Sequence, residues 1–241
     1  MYEGYIKKEI KKYQVLYIRM IKVLELFSGT GSVGKVCDHL NWRTVSVDLI
    51  SESTHKCDIM DFNYKQYPKD SFDIVWASPP CTNYSKLQDS WLGRMRKGEI
   101  YTKEIQEKEM NEDDKLILKA LEIIEYFNPH YWFIENPATS KMKDRIFMKH
   151  LPFYLVDYCM YSDWGYRKRT RIWTNKKDFK PLLCDGKGTC GNMTDKLHKT
   201  NLGNTDRMKR ANIDNKKKYN GTTQNDRYRI PPDLIFSLFL D

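Results

Sequence analysis

The sequence has no hydrophobic run long enough to cross a membrane. A spanning helix needs about 20 consecutive apolar residues, and no stretch of this 241-residue chain comes near that length. The lysine-rich first 22 residues also lack the apolar core and the small-residue cleavage site of a secretory signal. We therefore expect a globular chain with no membrane partner.

Cysteine is scarce as well. The chain has six, spread along its length: Cys37, Cys57, Cys81, Cys159, Cys184 and Cys190. So few thiols at such spacings do not make a disulfide scaffold. We expect free thiols in a reducing compartment.

Positive charge is concentrated in the second half of the chain. The net charge is +9, but residues 141–241 hold 22 Lys and Arg against 11 Asp and Glu, whereas residues 1–140 hold 19 against 21. A basic half is typical of a protein that faces a polyanion such as nucleic acid, although a solvated basic surface has the same composition.

Short apolar runs alternate with helical patterns from Ile21 onward. The predicted elements are strands at residues 21–27, 44–50, 72–78 and 131–135, a helix that starts at Ser32, and a helix over 112–127 capped by Asn111. Strands that alternate with helices predict an α/β fold, with a mostly parallel sheet, helices on both faces and ligands at the carboxyl ends of the strands.

The first candidate site is the glycine-rich turn after the first strand. Residues 29–34, Gly-Thr-Gly-Ser-Val-Gly, have the G-x-G-x-x-G spacing between a strand and a helix. Asp48 closes the second strand, where its carboxylate could accept two ribose hydroxyls. This combination suits a dinucleotide or S-adenosylmethionine, and the alternative is a tight turn without a ligand.

The second candidate site is a cysteine at the end of an apolar strand. Cys81 follows Pro79 and Pro80 in a polar loop, whereas a structural cysteine tends to lie within an apolar run. We therefore interpret Cys81 as a nucleophile.

Two further segments carry polar groups next to apolar strands. Glu135 ends the strand over 131–135 and could share a pocket with Cys81, the alternative being a surface acid. Arg167, Arg169 and Arg171 would share one face of a strand. As an isolated charge run they would more often form a solvated edge.

Taken in order, these segments resemble the DNA (cytosine-5) methyltransferase family. The matching segments are LELFSGTG, SVDL, residues 57–61, ASPPCTNYS, FIENPA, RKRTRIW and residues 229–235. The chain departs from the family pattern at Pro137, where valine is usual, at Arg167, where glutamine is usual, and at residues 228–229, where Gly-Asn is usual. Only 55 residues separate Trp173 from Arg229, so the recognition region is short, as in the compact enzymes of phages and large DNA viruses.

The resemblance implies a Rossmann-like S-adenosylmethionine-dependent methyltransferase sheet and a set of site residues. Cys81 would attack carbon 6 of cytosine, Glu135 would hydrogen-bond ring nitrogen N3, and Arg169 would favour the thiolate, with Arg171 as the second arginine of the motif. The cofactor would be held by Phe27, Ser28, Gly29 and Gly31 at its methionine end, Asp48 at the ribose, Asp58 and Ile59 at the adenine, and Pro80 beside the methyl group.

The resemblance also implies an organisation and a partner. We expect an N-terminal extension over 1–19 forming a peripheral helix, a catalytic domain over 20–175, a small, basic, loop-rich target-recognition region over 176–227, and a final helix over 228–241 that packs back beside the cofactor. A loop over 86–110, with Arg94, Arg96 and Lys97 beside Trp91, would close over a flipped base, the alternative being an ordinary charged surface loop. The partner would be double-stranded DNA, bound by a monomer inside the cell, in the cytoplasm, the nucleoid or a viral factory.

The short recognition region also contains residue types that bind zinc. Cys159, Cys184, Cys190 and His198 could form a structural site, which would let a small module fold without its own core. The five-residue gap between Cys184 and Cys190 is wider than the usual zinc spacing, and the alternative is unmetallated thiols with a surface histidine.

Three other functions stay open at this point. Ser-Pro-Pro followed by an aromatic residue marks methyltransferases that act on the amino groups of cytosine or adenine, but here a cysteine follows. A catalytically silent nucleic-acid-binding relative is the second alternative, and an RNA substrate is the third.

Overall fold

A computed structural model describes residues 20–194, 196–204 and 220–240. The predicted extension over 1–19 lies outside the described residues. The helices are α1 (Ser32–His39), α2 (Lys103–Phe127), α3 (Gln224–Tyr228) and α4 (Pro232–Leu240). The strands are β1 (Lys22–Leu26), β2 (Arg43–Asp48), β3 (His55–Lys56), β4 (Ile74–Ala77), β5 (Met95–Arg96), β6 (Glu99–Ile100), β7 (Tyr131–Pro137), β8 (Phe153–Asp157), β9 (Arg169–Thr174), β10 (Met193–Thr194), β11 (Leu197–His198), β12 (Thr200–Asn204) and β13 (Asn220–Thr222).

Seven strands form the central sheet in the order β3-β2-β1-β4-β7-β9-β8. The first five are parallel to their neighbours, and β9 runs antiparallel to both β7 and β8. The predicted mostly parallel α/β fold is therefore confirmed. Because β1, β4 and β7 are parallel and β9 is not, their carboxyl ends meet the start of β9 at one edge of the sheet.

The sheet buries apolar side chains on both faces. On one face, Ile117 and Phe127 of α2 pack in a cluster with Leu24 of β1. On the other face, Val36 of α1 packs in a cluster with Leu238 of α4. Alternate residues of the same strand serve the two clusters, which is the period-two pattern of a buried strand. Among the described residues, no helix is both long and apolar enough to cross a membrane.

Helix α2 begins nine residues earlier than the sequence predicted. Thr102 caps it, with its side-chain oxygen accepting a hydrogen bond from the backbone of Ile105 at 3.4 Å. The prediction that Asn111 is the cap is wrong, because residues 103–111 are mostly Lys, Glu, Gln and Met, which are strong helix formers. Asp114 faces inward and accepts hydrogen bonds from Tyr84 and Arg145, in other parts of the chain.

The end of the chain returns to the glycine turn. The ring of Phe239 in α4 stacks on Trp42 with the ring centroids 5.6 Å apart. The backbone N–H of Ile230 donates to Oγ of Ser32, the first residue of α1, at 3.0 Å. Helix α4 therefore stands beside the turn between β1 and α1.

Candidate active site

The turn after β1 leaves open space in front of the start of α1. Gly31 precedes α1 with a φ of 65°, a conformation that side chains rarely adopt. A Cβ atom built on Gly31 would meet no atom within 4 Å. The turn thus leaves room for a ligand in front of the N-terminus of α1.

Two polar side chains border this space. Ser28 is 7% exposed, and its Oγ has no hydrogen-bond partner among the described residues. The carboxylate of Asp48 accepts backbone hydrogen bonds from Gly29, Ile50 and Ser51 at 2.6 to 2.9 Å. Partial burial acts to raise the pKa of Asp48, but these hydrogen bonds outweigh it and lower the pKa overall. Asp48 therefore presents a fixed negative charge beside an unsatisfied hydroxyl.

Of the two residues expected around an adenine ring, Asp58 is half-buried and Ile59 is buried. Ile59 is buried in the core, while the carboxylate of Asp58 accepts a hydrogen bond from the backbone of Met60 at 2.8 Å. Leu49 and Ile50, directly after Asp48, expose 61% and 80% of their surface. Sequence reasoning overlooked this exposed apolar pair.

The loop with Cys81 begins where β4 ends. The backbone N–H of Ser78 still donates to Leu26 of β1 at 3.1 Å, so the loop leaves the sheet only after this residue. The side chain of Asn136, at the end of β7, donates from Nδ2 to the carbonyl oxygen of Pro79 at 3.0 Å. Pro79 is buried, Pro80 is exposed and Cys81 is half-buried. The thiol consequently lies at the carboxyl edge of the sheet, near the end of β7.

Glu135 lies at the same edge and is 6% exposed. The hydroxyl of Tyr158 donates to its Oε1 at 3.0 Å, and Nζ of Lys168 is 3.4 Å from the same oxygen. Lys168 also donates to the carbonyl oxygen of Arg227, in α3, at 2.9 Å. Among the described residues, no hydrogen bond is made to Oε2 of Glu135.

The charges of this pair act on the Cys81 thiol. Burial raises the pKa of Cys81, the negative charge of Glu135 raises it further, and the positive charge of Lys168 lowers it. The pKa stays above its ordinary value, so the thiol is protonated at neutral pH. Lys168 is thus the cation that favours the thiolate, and sequence reasoning overlooked both it and Tyr158.

The arginines of the basic run make different contacts. Arg169 donates to the buried carboxylate of Asp157 at 3.0 and 2.7 Å, and Nε of Arg167 lies 3.1 Å from the same group. The guanidinium of Arg171 lies 3.8 Å from the centre of the Phe153 ring, and its buried Nε has no hydrogen-bond partner among the described residues. The action of Arg169 on Cys81 stays a prediction.

The segment after Cys81 is only partly a loop. A 3-10 helix over Lys86–Trp91 and the β5–β6 hairpin precede α2, which includes residues 103–110 of the predicted loop. Arg96 pairs with Glu109 of α2 at 2.7 Å, so this arginine is not free. Arg94 and Trp91 are exposed.

The four residues singled out as zinc ligands lie together. The sulfur atoms of Cys159, Cys184 and Cys190 and a ring nitrogen of His198 are all within 4.8 Å of one another. Burial, and then the Cys184 thiol, raise the pKa of Cys159. Burial, and then the charge of Arg167, lower the pKa of His198, which favours the neutral imidazole.

The chain is similar to several known proteins. Residues 48–145 match the family model described as C-5 cytosine-specific DNA methylase. A protein of Frog virus 3 (isolate Goorha), named "Probable DNA (cytosine-5)-methyltransferase", is 40% identical over 220 residues, which cover 90% of this chain and 98% of the viral protein. The solved structure of the Entamoeba histolytica methyltransferase EhMeth is also similar, with a TM-score of 0.46 and 16% identity. The match covers 69% of this chain and 56% of that structure.

Proposed function

We propose that this chain, which belongs to the DNA (cytosine-5) methyltransferase family, transfers a methyl group from S-adenosylmethionine to carbon 5 of cytosine in DNA through a covalent Cys81 adduct. The observation that carries the proposal is the joint placement of Cys81 and Glu135 at the ends of β4 and β7. The negative charge of Glu135 acts to raise the pKa of Cys81, and the hydrogen bond from Asn136 to Pro79 connects the two strand ends.

The glycine turn fits S-adenosylmethionine. The unsatisfied Ser28 hydroxyl and the open space in front of the N-terminus of α1 suit the charged methionine end. Asp48 suits the ribose hydroxyls, and the exposed Leu49 and Ile50 offer apolar contact to the adenine ring. When bound there, the cofactor supplies a methyl group on a positively charged sulfur, which makes that carbon electrophilic.

Carbon 5 of cytosine is a poor nucleophile, and the chain must first make it electron-rich. The Cys81 thiol first loses its proton to water or a base. The resulting thiolate forms a bond to carbon 6, and the electron pair of the 5,6 double bond moves into the ring. The Glu135 carboxyl, in its protonated form, donates a hydrogen bond to ring nitrogen N3 and stabilises the negative charge that develops there. Oε2 is the oxygen of Glu135 without a bond to the described residues, whereas Tyr158 and Lys168 hold Oε1.

Carbon 5 then takes the methyl group, and the electron pair of the broken sulfur–carbon bond stays on the departing sulfur. The carbon-5 proton leaves to water or a base, its electron pair restores the double bond, and the Cys81 thiolate departs. In this cycle Lys168 stabilises the thiolate before attack and after release. Its positive charge is the one that lowers the pKa of Cys81.

The target base must leave the duplex before Cys81 can reach it, since carbon 6 is shielded within the stack. Unstacking costs a few kcal/mol. The segment after Cys81 presents exposed apolar side chains at Leu87 and Trp91 and an exposed cation at Arg94. Apolar side chains can contact bases, and a cation can contact phosphates. We therefore assign this segment the role of closing over the flipped base.

A methyl-transfer assay tests the proposal. Purified protein is incubated with labelled S-adenosylmethionine and mixed-sequence DNA, and the digested nucleosides are separated. We expect label in 5-methylcytosine, at least about a thousandfold less with Cys81→Ser. Label in N4-methylcytosine or N6-methyladenine, or full activity of Cys81→Ser, would contradict the covalent mechanism, and DNA binding without incorporation would identify a silent relative.

A further inference from the structure

The geometry points to a structural zinc ion held by Cys159, Cys184, Cys190 and His198, which anchors the segment after β9 to the edge of the sheet. This inference does not depend on the proposed reaction. The four ligands come from three places in the chain: the 3-10 helix Tyr158–Met160, the loop that follows β9, and strand β11. An ion bound to all four would therefore link segments that are distant in sequence.

The two distances from His198 to cysteine sulfurs match a tetrahedral zinc site. Zinc binds cysteine sulfur at about 2.3 Å and histidine nitrogen at about 2.0 Å, so neighbouring sulfur and nitrogen ligands lie about 3.6 Å apart. Nε2 of His198 lies 3.6 Å from the sulfur of Cys190 and 3.8 Å from that of Cys184. Three thiols and one imidazole fill all four positions of a tetrahedron, and such closed sites are structural.

The segment has almost no apolar core of its own. Between residues 181 and 203, the described side chains that are buried are Cys184 and Asn192. A segment that cannot bury apolar surface does not offset the entropy lost on ordering. A metal supplies that free energy in small modules.

Asn192 organises the backbone around the cluster. Its Nδ2 lies within hydrogen-bond distance of the carbonyl oxygens of Cys159, Ser162 and Cys190 at 2.7 to 3.1 Å, and its Oδ1 accepts a hydrogen bond from the backbone of Gly165 at 2.9 Å. One buried amide thus sets the separation of two cysteine backbones. This arrangement pre-positions the ligands.

The cluster is also connected to the basic strand. The backbone N–H of Cys184 donates to Oδ2 of Asp157 at 2.9 Å, and Asp157 holds Arg169 through both of its carboxylate oxygens. Asp157 therefore contacts both Cys184 and Arg169. Holding Cys184 in place also helps to hold the carboxylate that orients Arg169. Zinc would stabilise the geometry at the start of β9.

Metal analysis of the full chain tests the inference. Protein from zinc-supplemented cells, purified without chelators or a histidine tag, is analysed by mass spectrometry for metal per chain. We expect about one zinc per chain for the wild type and for Cys57→Ser, a cysteine outside the cluster. Cys190→Ser and His198→Ala should retain at least about tenfold less zinc after dialysis against a weak chelator.

Two measurements on the wild type keep the test decisive if the variants do not fold. Cobalt exchanged into the protein should give the visible bands of a tetrahedral ion and near-ultraviolet thiolate charge-transfer bands, both lost when zinc is added. Chelation should speed hydrogen exchange in residues 184–198 and leave β1 and β4 unchanged. A wild type with negligible zinc and no thiolate–cobalt bands, a disulfide between cluster cysteines, or equal zinc loss from Cys57→Ser would overturn the inference.

Discussion

Asn136 donates a hydrogen bond from Nδ2 to the carbonyl oxygen of Pro79 at 3.0 Å and so connects the end of β7 to the loop that carries Cys81. Asn136 is fully buried, and its side-chain oxygen, Oδ1, has no hydrogen-bond partner among the described residues. A buried polar atom without a partner costs about 1–3 kcal/mol. We infer that the positioning of the Pro79–Cys81 loop offsets this cost.

Replacing Asn136 should therefore impair catalysis as well as folding. Asn136→Asp keeps the size of the side chain but removes the donor, and it places a carboxylate against the Pro79 carbonyl. We expect methyl transfer to fall at least about tenfold and the free energy of unfolding in urea to fall by about 3 kcal/mol or more, because a buried charge without a partner costs more than a neutral group. Wild-type kcat in a folded Asn136→Asp protein would show that the hydrogen bond does not position Cys81.

The reactivity of Cys81 should respond in opposite directions to changes at its two charged neighbours. The Glu135 carboxylate raises the pKa of Cys81 and the Lys168 ammonium lowers it. Glu135→Gln should therefore lower the thiol pKa and speed alkylation by iodoacetamide at a fixed pH, whereas Lys168→Met should raise the pKa and slow alkylation. The rate is measured by mass spectrometry of the Cys81 peptide across a pH series.

The same two variants separate reactivity from catalysis. Glu135→Gln should lose about a hundredfold or more in methyl transfer although its thiol is more reactive, because the stabilisation of N3 is lost. Lys168→Arg keeps the charge and should restore part of the alkylation rate that Lys168→Met loses. If both neutral variants shifted alkylation in the same direction, the electrostatic account of Cys81 would be wrong.

The burial of Glu25 leads us to expect that the stability of the protein depends on pH in a particular way. This buried side chain of β1 accepts backbone hydrogen bonds from Val33 and Gly34 in α1, yet burial raises its pKa from 4.5 to about 7. A raised carboxyl pKa means that the folded state holds the proton more tightly than the unfolded state. The contribution of Glu25 is therefore fully present below pH 4.5 and is lost as the pH rises to about 7.

Urea unfolding of the wild type and Glu25→Gln across this pH range measures the effect. The difference in unfolding free energy between the two proteins should change by up to about 3 kcal/mol in favour of the variant as the pH rises, on top of any constant cost of the amide. Glu52→Gln, at an exposed side chain, should show no such change. A difference that is independent of pH would contradict the burial argument.

Much of the fold could be predicted because local patterns and tertiary structure agree. The apolar run of β1, the glycine turn and the acidic Asp48 at the end of β2 each indicate their own conformation without reference to the rest of the chain. The order of motifs then placed Cys81 and Glu135 at the ends of strands. In the structure these strands, β4 and β7, are neighbours.

The parts that sequence reasoning missed depend on long-range contacts. The start of α2 was missed because Asn111 is a good cap by type, but its side chain accepts a hydrogen bond from Arg145, 34 residues away. Lys168 was missed because the functional interpretation of this run considered only its arginines. Period-two alternation from Arg169 would have placed Lys168 on the opposite face, where it meets Glu135.

The zinc-ligand set, by contrast, was singled out from the sequence although its four residues are far apart in the chain. Nothing in the spacing of Cys159, Cys184, Cys190 and His198 is typical of a zinc motif, and only residue chemistry suggested the group. The fold brings the four ligand atoms within 4.8 Å of one another, because β8 and β9 are paired and the loop after β9 returns to β8 through Asp157.

The most direct test of the central claim is the isolation of the covalent adduct. Duplex DNA containing 5-fluorocytosine is incubated with the protein and S-adenosylmethionine; fluorine at carbon 5 cannot leave as a proton does, so the adduct accumulates. We predict a protein–DNA complex that survives denaturation, is absent with Cys81→Ser, and maps by mass spectrometry to Cys81. Methylation of ordinary cytosine at carbon 5 without any such complex, or a complex mapped to another cysteine, would contradict the account.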